Sequence, residues 1–268
     1  MPHHPSRRYH DRVARQYDAI YDDAYWHFHD QLTWHYVKPH LPRDLAQRCA
    51  DLGCGTGKWG LKLLKSGLQT TFVDHSAAMI EQTRAKLADM PARARHATLI
   101  VADIVQMPEV QSKHFTLVLA MGDPLSICTD PARAAAEMFR ITAPGGIVIA
   151  TADNKLAALD HYLADGDVAA LESFLQTSKT RWLTRNQREQ FDLTTFTPQA
   201  LQKLFTRAGF EVLSVIGKPV LPVRENRDIL TEPHSGDRLL ELEVALARDA
   251  TTAARAAHLQ ITARVPVA

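Results

Sequence analysis

The residues best suited to do chemistry stand close together in Ala50-Asp51-Leu52-Gly53-Cys54-Gly55-Thr56-Gly57-Lys58-Trp59-Gly60. Glycines alternate at 53, 55 and 57, and Leu61, Leu63 and Leu64 follow at helical spacing, so the stretch reads as strand, tight loop and helix. Glycine permits positive φ and carries no Cβ, which lets a ligand lie against the main chain. The unpaired amides that open the next helix favour an anionic group. Gly55 to Gly60 also fits the G-x-G-x-x-G pattern of dinucleotide sites, a weak match by itself. Asp74 stands 21 residues beyond Gly53, after a second apolar run, where a carboxylate can accept both hydroxyls of an adenosine ribose. Its alternative role, capping the following helix, already falls to Ser76.

A second group of candidates precedes this loop. Tyr17, Tyr21 and Tyr25 are spaced four apart and are expected on one helix face, as either a packing surface or the wall of a pocket. His27, His29, His35 and His40 gather nearby with Asp30. A His-x-His pair does not share a helix face, and no further ligand falls at a recognisable spacing, so no metal site is expected. A single histidine acting as a base is the more useful reading.

The elements that must position these residues alternate between strand and helix. Strands are expected at Cys49–Gly53, Gln69–Asp74, Ala97–Asp103, Phe115–Met121, Ile147–Ala152, Phe210–Ile216 and His258–Val267. Helices are expected at Lys58–Ser66, from the Ser76 cap to about Asp89, at Pro131–Thr142, from Thr197-Pro198 to Gly209, and from Asp237 to about Ala257. The inner runs are apolar without alternation, as for parallel strands covered on both faces, which predicts a doubly wound α/β sheet. The rhythm breaks at residues 155–196, where a helix from Leu156 to Lys179, interrupted near Asp165-Gly166, and a polar stretch read as an insertion above the strand ends.

The longer D-x-G-x-G-x-G form, with Asp51 two residues before the first glycine, resembles the first motif of class I S-adenosylmethionine-dependent methyltransferases. Val13-Ala14-Arg15-Gln16-Tyr17-Asp18-x-x-Tyr21 is similar to the N-terminal segment of small-molecule members of that family, the ubiquinone/menaquinone-biosynthesis type. Val101-Ala102-Asp103-Ile104 followed by Met107-Pro108, and the Thr-Pro…Ala-Gly-Phe-Glu-Val run at 197–212, resemble the family as well. One position departs: Thr116 stands where Asp commonly follows Phe. Gly122-Asp123-Pro124-Leu125 falls where the transferred methyl meets the acceptor. Leu125 and Ser126 replace the proline and aromatic residue of nucleic-acid amino-methylating enzymes.

The resemblance implies a Rossmann-like seven-stranded sheet with the last strand antiparallel between the fifth and sixth, an N-terminal helical cap (1–45), a cofactor-binding core (46–154), an inserted acceptor cap (155–196) and the rest of the core sheet (197–268). It implies S-adenosyl-L-methionine as cofactor. Asp51 would meet the methionine ammonium and the 53–57 amides its carboxylate, with Gly53 and Gly55 in contact. Asp74 would hold the ribose, and Asp103 with the backbone of Ile104 the adenine. His75, Met79 and Ile104 would sandwich the ring, and Tyr17 and Ala120 complete the contacts. Asp123, His27, His29 and His161 are the candidate bases. The expected reaction is direct in-line methyl transfer to a small-molecule acceptor. The alternatives are an RNA or protein methyltransferase, a nicotinamide oxidoreductase and an inactive binding domain.

Bulk properties agree with a small partner. The 268 residues carry 46% hydrophobic side chains and 31 basic against 30 acidic groups, a net charge of +1, which offers nothing to a polyanion. Cys49, Cys54 and Cys128 are too few for a disulfide framework or a Cys-rich zinc site. No apolar run approaches the ~20 residues needed to span a bilayer, and the N-terminus shows no secretory core, so a cytoplasmic enzyme is expected.

Overall fold

The computed structural model describes residues 5–159, 162, 166–181, 190–232 and 234–267. Among the described residues there are nine strands: β1 (Arg48–Leu52), β2 (Gln69–Asp74), β3 (Ala97–Val101), β4 (Phe115–Ala120), β5 (Thr142–Asp153), β6 (Lys179–Thr180), β7 (Leu193–Thr194), β8 (Glu211–Lys218) and β9 (His258–Arg264). Seven of them form one sheet in the order β3-β2-β1-β4-β5-β9-β8, while β6 and β7 pair separately. β1 to β5 run parallel, and β9 returns antiparallel to both β5 and β8.

The unalternating apolar runs have the expected cause. Leu117, Val118, Leu119 and Ala120 point to opposite faces in turn, yet all four are fully buried. Val118 and Ala120 pack with Phe205 of the helix Pro198–Arg207, and Leu117 and Leu119 with Trp59 and Leu63 of the helix Lys58–Lys65. The strand order reverses between β1 and β4, and the crevice at such a switch point is where open α/β sheets bind ligands.

Four expected elements differ in detail. β5 starts at Thr142 rather than Ile147 and runs through Gly145 (φ +77) and Gly146. A Cβ at Gly146 would come 3.0 Å from the Phe115 carbonyl oxygen, so Pro144-Gly145-Gly146 is a close strand approach with a register shift rather than a turn. The Tyr17, Tyr21 and Tyr25 stripe does not share one helix. A short helix, Tyr17–Ile20, ends before Tyr21, and a new one, Ala24–Val37, starts under the cap of Asp23, whose carboxylate accepts from Trp26 N at 2.9 Å.

Within the insertion, the long helix is the shorter Val168–Thr177, closed by Ser178 in the left-handed conformation. His161, Asp165 and residues 182–189 lie outside the described residues. The C-terminal helix is Ser235–Leu246 followed by a separate 3-10 turn, Ala250–Arg255, because Asp249 accepts from Thr251 N and starts a new cap. Among the described residues no helix is long and apolar enough to cross a membrane.

Candidate active site

A cavity of about 1100 Å³ opens over the carboxyl ends of β1, β2, β4 and β5. One half of it is built on the glycine loop. Gly53, Gly55 and Gly57 adopt φ of +62, +54 and +86, conformations that strain any residue with a Cβ. A Cβ on Gly53 would meet Pro124 Cβ at 2.7 Å, so the loop rests directly on the turn after β4.

Asp74 ties this loop to β2: Oδ2 accepts from Gly55 N at 2.9 Å and Oδ1 from Ser76 N at 2.8 Å. Both oxygens keep further acceptor capacity, and Asp74 lines the cavity with His75, Asp103, Ile104 and Tyr17. Ser76 takes the capping task, accepting from Met79 N. Asp103 accepts from Val105 N at 3.1 Å.

Three predicted contacts do not line the cavity. Met79 and Ala120 are fully buried in the core, the former beside Tyr9, Val13 and Phe191. Asp51 is fully buried beneath the loop, where Oδ2 accepts from Gly60 N at 2.7 Å and Oδ1 is buried without a hydrogen-bond partner among the described residues. Burial pushes its carboxyl up to about 7, with Asp74 adding to the effect. A contact that sequence reasoning missed holds the N-terminal segment in place. Asp18 accepts from Thr56 Oγ1 at 2.5 Å and pairs with Lys86 at 2.6 Å.

The other half of the cavity is walled by Tyr21, Tyr25 and Trp26, by Leu156, Ala157, Ala158 and Leu193 of the insertion, and by the loop after β8, from Pro219 to Pro222 with Arg224 and Glu225. The helix break at Tyr21 lets the rings meet: Tyr17–Tyr21, Tyr21–Trp26 and Tyr25–Trp26 centroids are each 5.0 Å apart. Glu243, itself buried, accepts from Val220 N and Leu221 N and fixes the loop after β8.

The floor of this half is polar. Asp123 follows Gly122 in the left-handed region at φ +62, and both amides donate to Thr151 Oγ1, at 3.0 and 3.1 Å. Such a conformation is tolerated by Asp more readily than by most residues. Sheet register supplies the rest. β9 sets His258 opposite Asp153 on one side and opposite Lys218 on the other. His258 Nδ1 lies 2.8 Å from Asp123 Oδ2 and 4.0 Å from Asp153 Oδ1, contacts that become ion pairs when the imidazole is protonated. The donor atoms of Asp123, Asp153 and His258 all lie within 4.8 Å of one another.

Lys218 is 1% exposed, and its Nζ donates to Thr33 Oγ1 and stands 3.3 Å from His29 Nε2. Burial drives the Lys218 ammonium down to about 8. Burial, then Lys218 and His258, hold His29 well below the usual imidazole range. Burial alone would lower His258, but Asp123 and Asp153 outweigh it and leave the imidazole above its ordinary value. Asp153 is pushed up to about 7 by burial and by Asp123. For Asp123, the raising effect of burial is outweighed by His258, Thr151 and Lys218.

Of the predicted bases, the structure brings Asp123 and His29 together in the cavity and leaves His27 out. His27 is exposed, its Nε2 2.8 Å from Asp22, because the helix from Ala24 turns that position to solvent. Lys218, His258 and Asp153 were not singled out from the sequence. A His or Lys at a strand end carries no local signal, and the antiparallel return of β9 is what groups them.

A glycine loop at the end of β1, acids at the end of β2 and just past β3, and one antiparallel strand beside β5 define an α/β nucleotide-binding enzyme of the methyltransferase type. A family model described as a methyltransferase domain matches residues 49–146. The chain is 31% identical over 180 residues to the uncharacterized methyltransferase Rv3342 of Mycobacterium tuberculosis (strain ATCC 25618 / H37Rv), covering 63% of this chain and 67% of that one. It belongs to the class I S-adenosylmethionine-dependent methyltransferases. Two of the solved structures that share the fold illustrate it. The S-adenosylmethionine-dependent methyltransferase from Mesorhizobium loti has a TM-score of 0.58 at 19% identity, over 87% of this chain and 97% of that one. The cyclase SpnF has a TM-score of 0.59 at 23% identity, over 89% and 82%.

Proposed function

We propose that this enzyme methylates a small-molecule acceptor held in the aromatic half of the cavity, with the cofactor in the glycine-loop half. The observation that carries this reading is one continuous cavity lined by both halves, with Pro124, the residue after Asp123, resting against Gly53 of the glycine loop. The donor set fits an S-adenosyl nucleoside: two carboxylates on successive strand ends for ribose and adenine, and glycine-opened backbone for a carboxylate. Gly53 and Gly55 admit the ligand to the main chain, Asp74 takes the ribose hydroxyls, and Asp103 and Ile104 take the adenine with His75 beside it. Asp51 holds Gly60 and so fixes the loop from below.

When bound, the cofactor supplies a methyl group already activated by its sulfonium. The protein's share is alignment, exclusion of water and removal of any acceptor proton. Tyr17, Tyr21 and Trp26 make the acceptor half water-poor, and the N-terminal segment with residues 155–196 acts as its cap.

Incubation with methyl-labelled S-adenosylmethionine tests the reading when metabolite, RNA and protein fractions of a cell extract are offered separately. Label should enter a compound in the metabolite fraction, heavier by one methyl. Label entering only the RNA or protein fraction would overturn the small-acceptor reading.

A further inference from the structure

The acceptor half holds a cation that no protein carboxylate pairs with directly. Among the described residues Lys218 Nζ has Thr33 Oγ1 and His29 Nε2 as partners and forms no salt bridge, although its side chain is buried and lines the cavity. Asp123 and Asp30 act on it only through space, and Asp30 is already paired with Lys58 at 2.8 Å. An ammonium has three protons, of which these two partners leave one free. A buried charge without a partner is expensive, so a site that keeps one is suited to a ligand that brings the opposite charge.

The neighbour across β9 is a base of complementary design. His258 has Nδ1 held by Asp123, which leaves Nε2 without a protein hydrogen bond among the described residues. A carboxylate on one imidazole nitrogen orients the ring and strengthens the other nitrogen as a proton acceptor. Sheet register places Lys218 directly beside His258, and His29 stands against both, 3.3 Å from Lys218 Nζ and with its ring centroid 5.2 Å from that of His258.

Resting on the small-acceptor reading, we infer that the acceptor is a phenol or enol whose acidic hydroxyl gives its proton to His258 Nε2 and whose oxygen is then held as an anion by Lys218 Nζ. The O–H bonding pair stays on the oxygen, the imidazole becomes imidazolium beside Asp123, and the oxyanion is the nucleophile. Other acceptor classes fit less well. An amine gains nothing from a neighbouring ammonium, a carboxylic acid is ionised without a base, and an alkyl alcohol is too weak an acid for an imidazole to ionise. A flat acceptor also suits the wall of Tyr21, Tyr25 and Trp26, over which Arg224 lies 5.4 Å from the Tyr25 centroid and 5.8 Å from that of Trp26.

The groups facing His258 are Asp123 from the turn after β4, Asp153 from β5, Lys218 from β8 and His29 from the N-terminal helix. Those facing Lys218 are Asp123, Asp30, His29 and His258. Of these, Lys218 titrates at about 8, so the anion site weakens as pH rises through that value.

The probe is 4-nitrophenol, whose neutral and ionised forms absorb at different wavelengths, titrated into protein saturated with S-adenosylhomocysteine. The bound probe is expected to absorb as the phenolate about one unit below its pKa in water, since an adjacent cation favours the charged form. Lys218→Met and Lys218→Gln are expected to lose this band while still binding S-adenosylhomocysteine. His258→Asn is expected to keep the band and to slow its appearance. A neutral bound probe, no probe binding to protein that holds S-adenosylhomocysteine, an undiminished band in both Lys218 variants, or ionisation abolished by a chelator and restored by a divalent cation would each overturn the inference. Failure of the wild type to bind S-adenosylhomocysteine would instead overturn the cofactor placement beneath it.

Discussion

The two halves of the cavity are assembled in different ways. The glycine-loop half takes Gly53, Gly55, Asp74, His75, Asp103 and Ile104 from the carboxyl ends of three successive strands, within residues 53–104. The aromatic half takes His29, Asp123, Asp153, Lys218 and His258 from five separate elements, and β9 brings the last three side by side through its register. One half is dictated by what a short backbone turn allows. The other exists only once the whole sheet has closed.

Each half nevertheless contains one carboxyl group held near pH 7, Asp51 and Asp153, and this shared feature gives the largest expected effect. Their pKa values are raised on folding, so the folded state binds more protons than the unfolded state between about 4 and 7, and stability falls as pH rises through that window. A shift from 3.8 to about 7 corresponds to roughly 4 kcal/mol per group as an upper figure. Urea unfolding of the wild type should show a lower midpoint at pH 7.5 than at pH 5, and Asp51→Asn should remove part of that difference, because the amide oxygen can still accept from Gly60 N. An unchanged pH slope in both Asp51→Asn and Asp153→Asn would remove the symmetry between the halves.

The contrast sharpens at Lys218. Its folded-state pKa is lowered to about 8, so below that value the folded protein carries a buried charge that the unfolded chain solvates, and stability rises as pH passes from about 8 toward 10.5. Lys218→Met should therefore raise the melting temperature at pH 7, by the equivalent of roughly 1–4 kcal/mol, with the gain shrinking at higher pH. Calorimetry at pH 7 and pH 10 checks this. A drop in stability at pH 7 would mean that the ammonium is a net structural contact.

How much of each half the sequence displayed follows from the same contrast. Gly53, Gly55 and Asp74 sit at offsets that a positive-φ turn and a strand end impose, so spacing marked them, while Asp103 was marked only by the family resemblance of its segment. The seven strands were equally legible, because buried parallel strands leave unalternating apolar runs, whereas the antiparallel return was implied only by the family resemblance. His27 and His29 illustrate the limit. They are two residues apart in the same histidine-rich stretch, yet only the helix phase, reset by the Asp23 cap, decides that His29 enters the cavity and His27 faces water. Met79 and Asp51 show another. Both lie next to ligand-facing residues in the chain, but one packs into the core and the other under the loop.

The smallest effect concerns the loop after β8. Glu243→Ala leaves the buried Val220 and Leu221 amides without their acceptor, a loss of roughly 1–3 kcal/mol that should be confined to the aromatic half. Hydrogen exchange should speed up at residues 220–225 and stay unchanged at 53–57. Equal acceleration in both segments would show that the halves are one cooperative unit.

The central claim is that the glycine-loop half holds the donor and the aromatic half the acceptor. It is tested most directly by the affinity of S-adenosylhomocysteine, measured by isothermal titration calorimetry for the wild type, Asp74→Asn and His258→Asn. Asp74→Asn should bind roughly 10- to 100-fold more weakly, through loss of charge-assisted hydrogen bonds, and His258→Asn should bind as the wild type does. Wild-type affinity in Asp74→Asn, or an equal loss in His258→Asn, would contradict the division of the cavity.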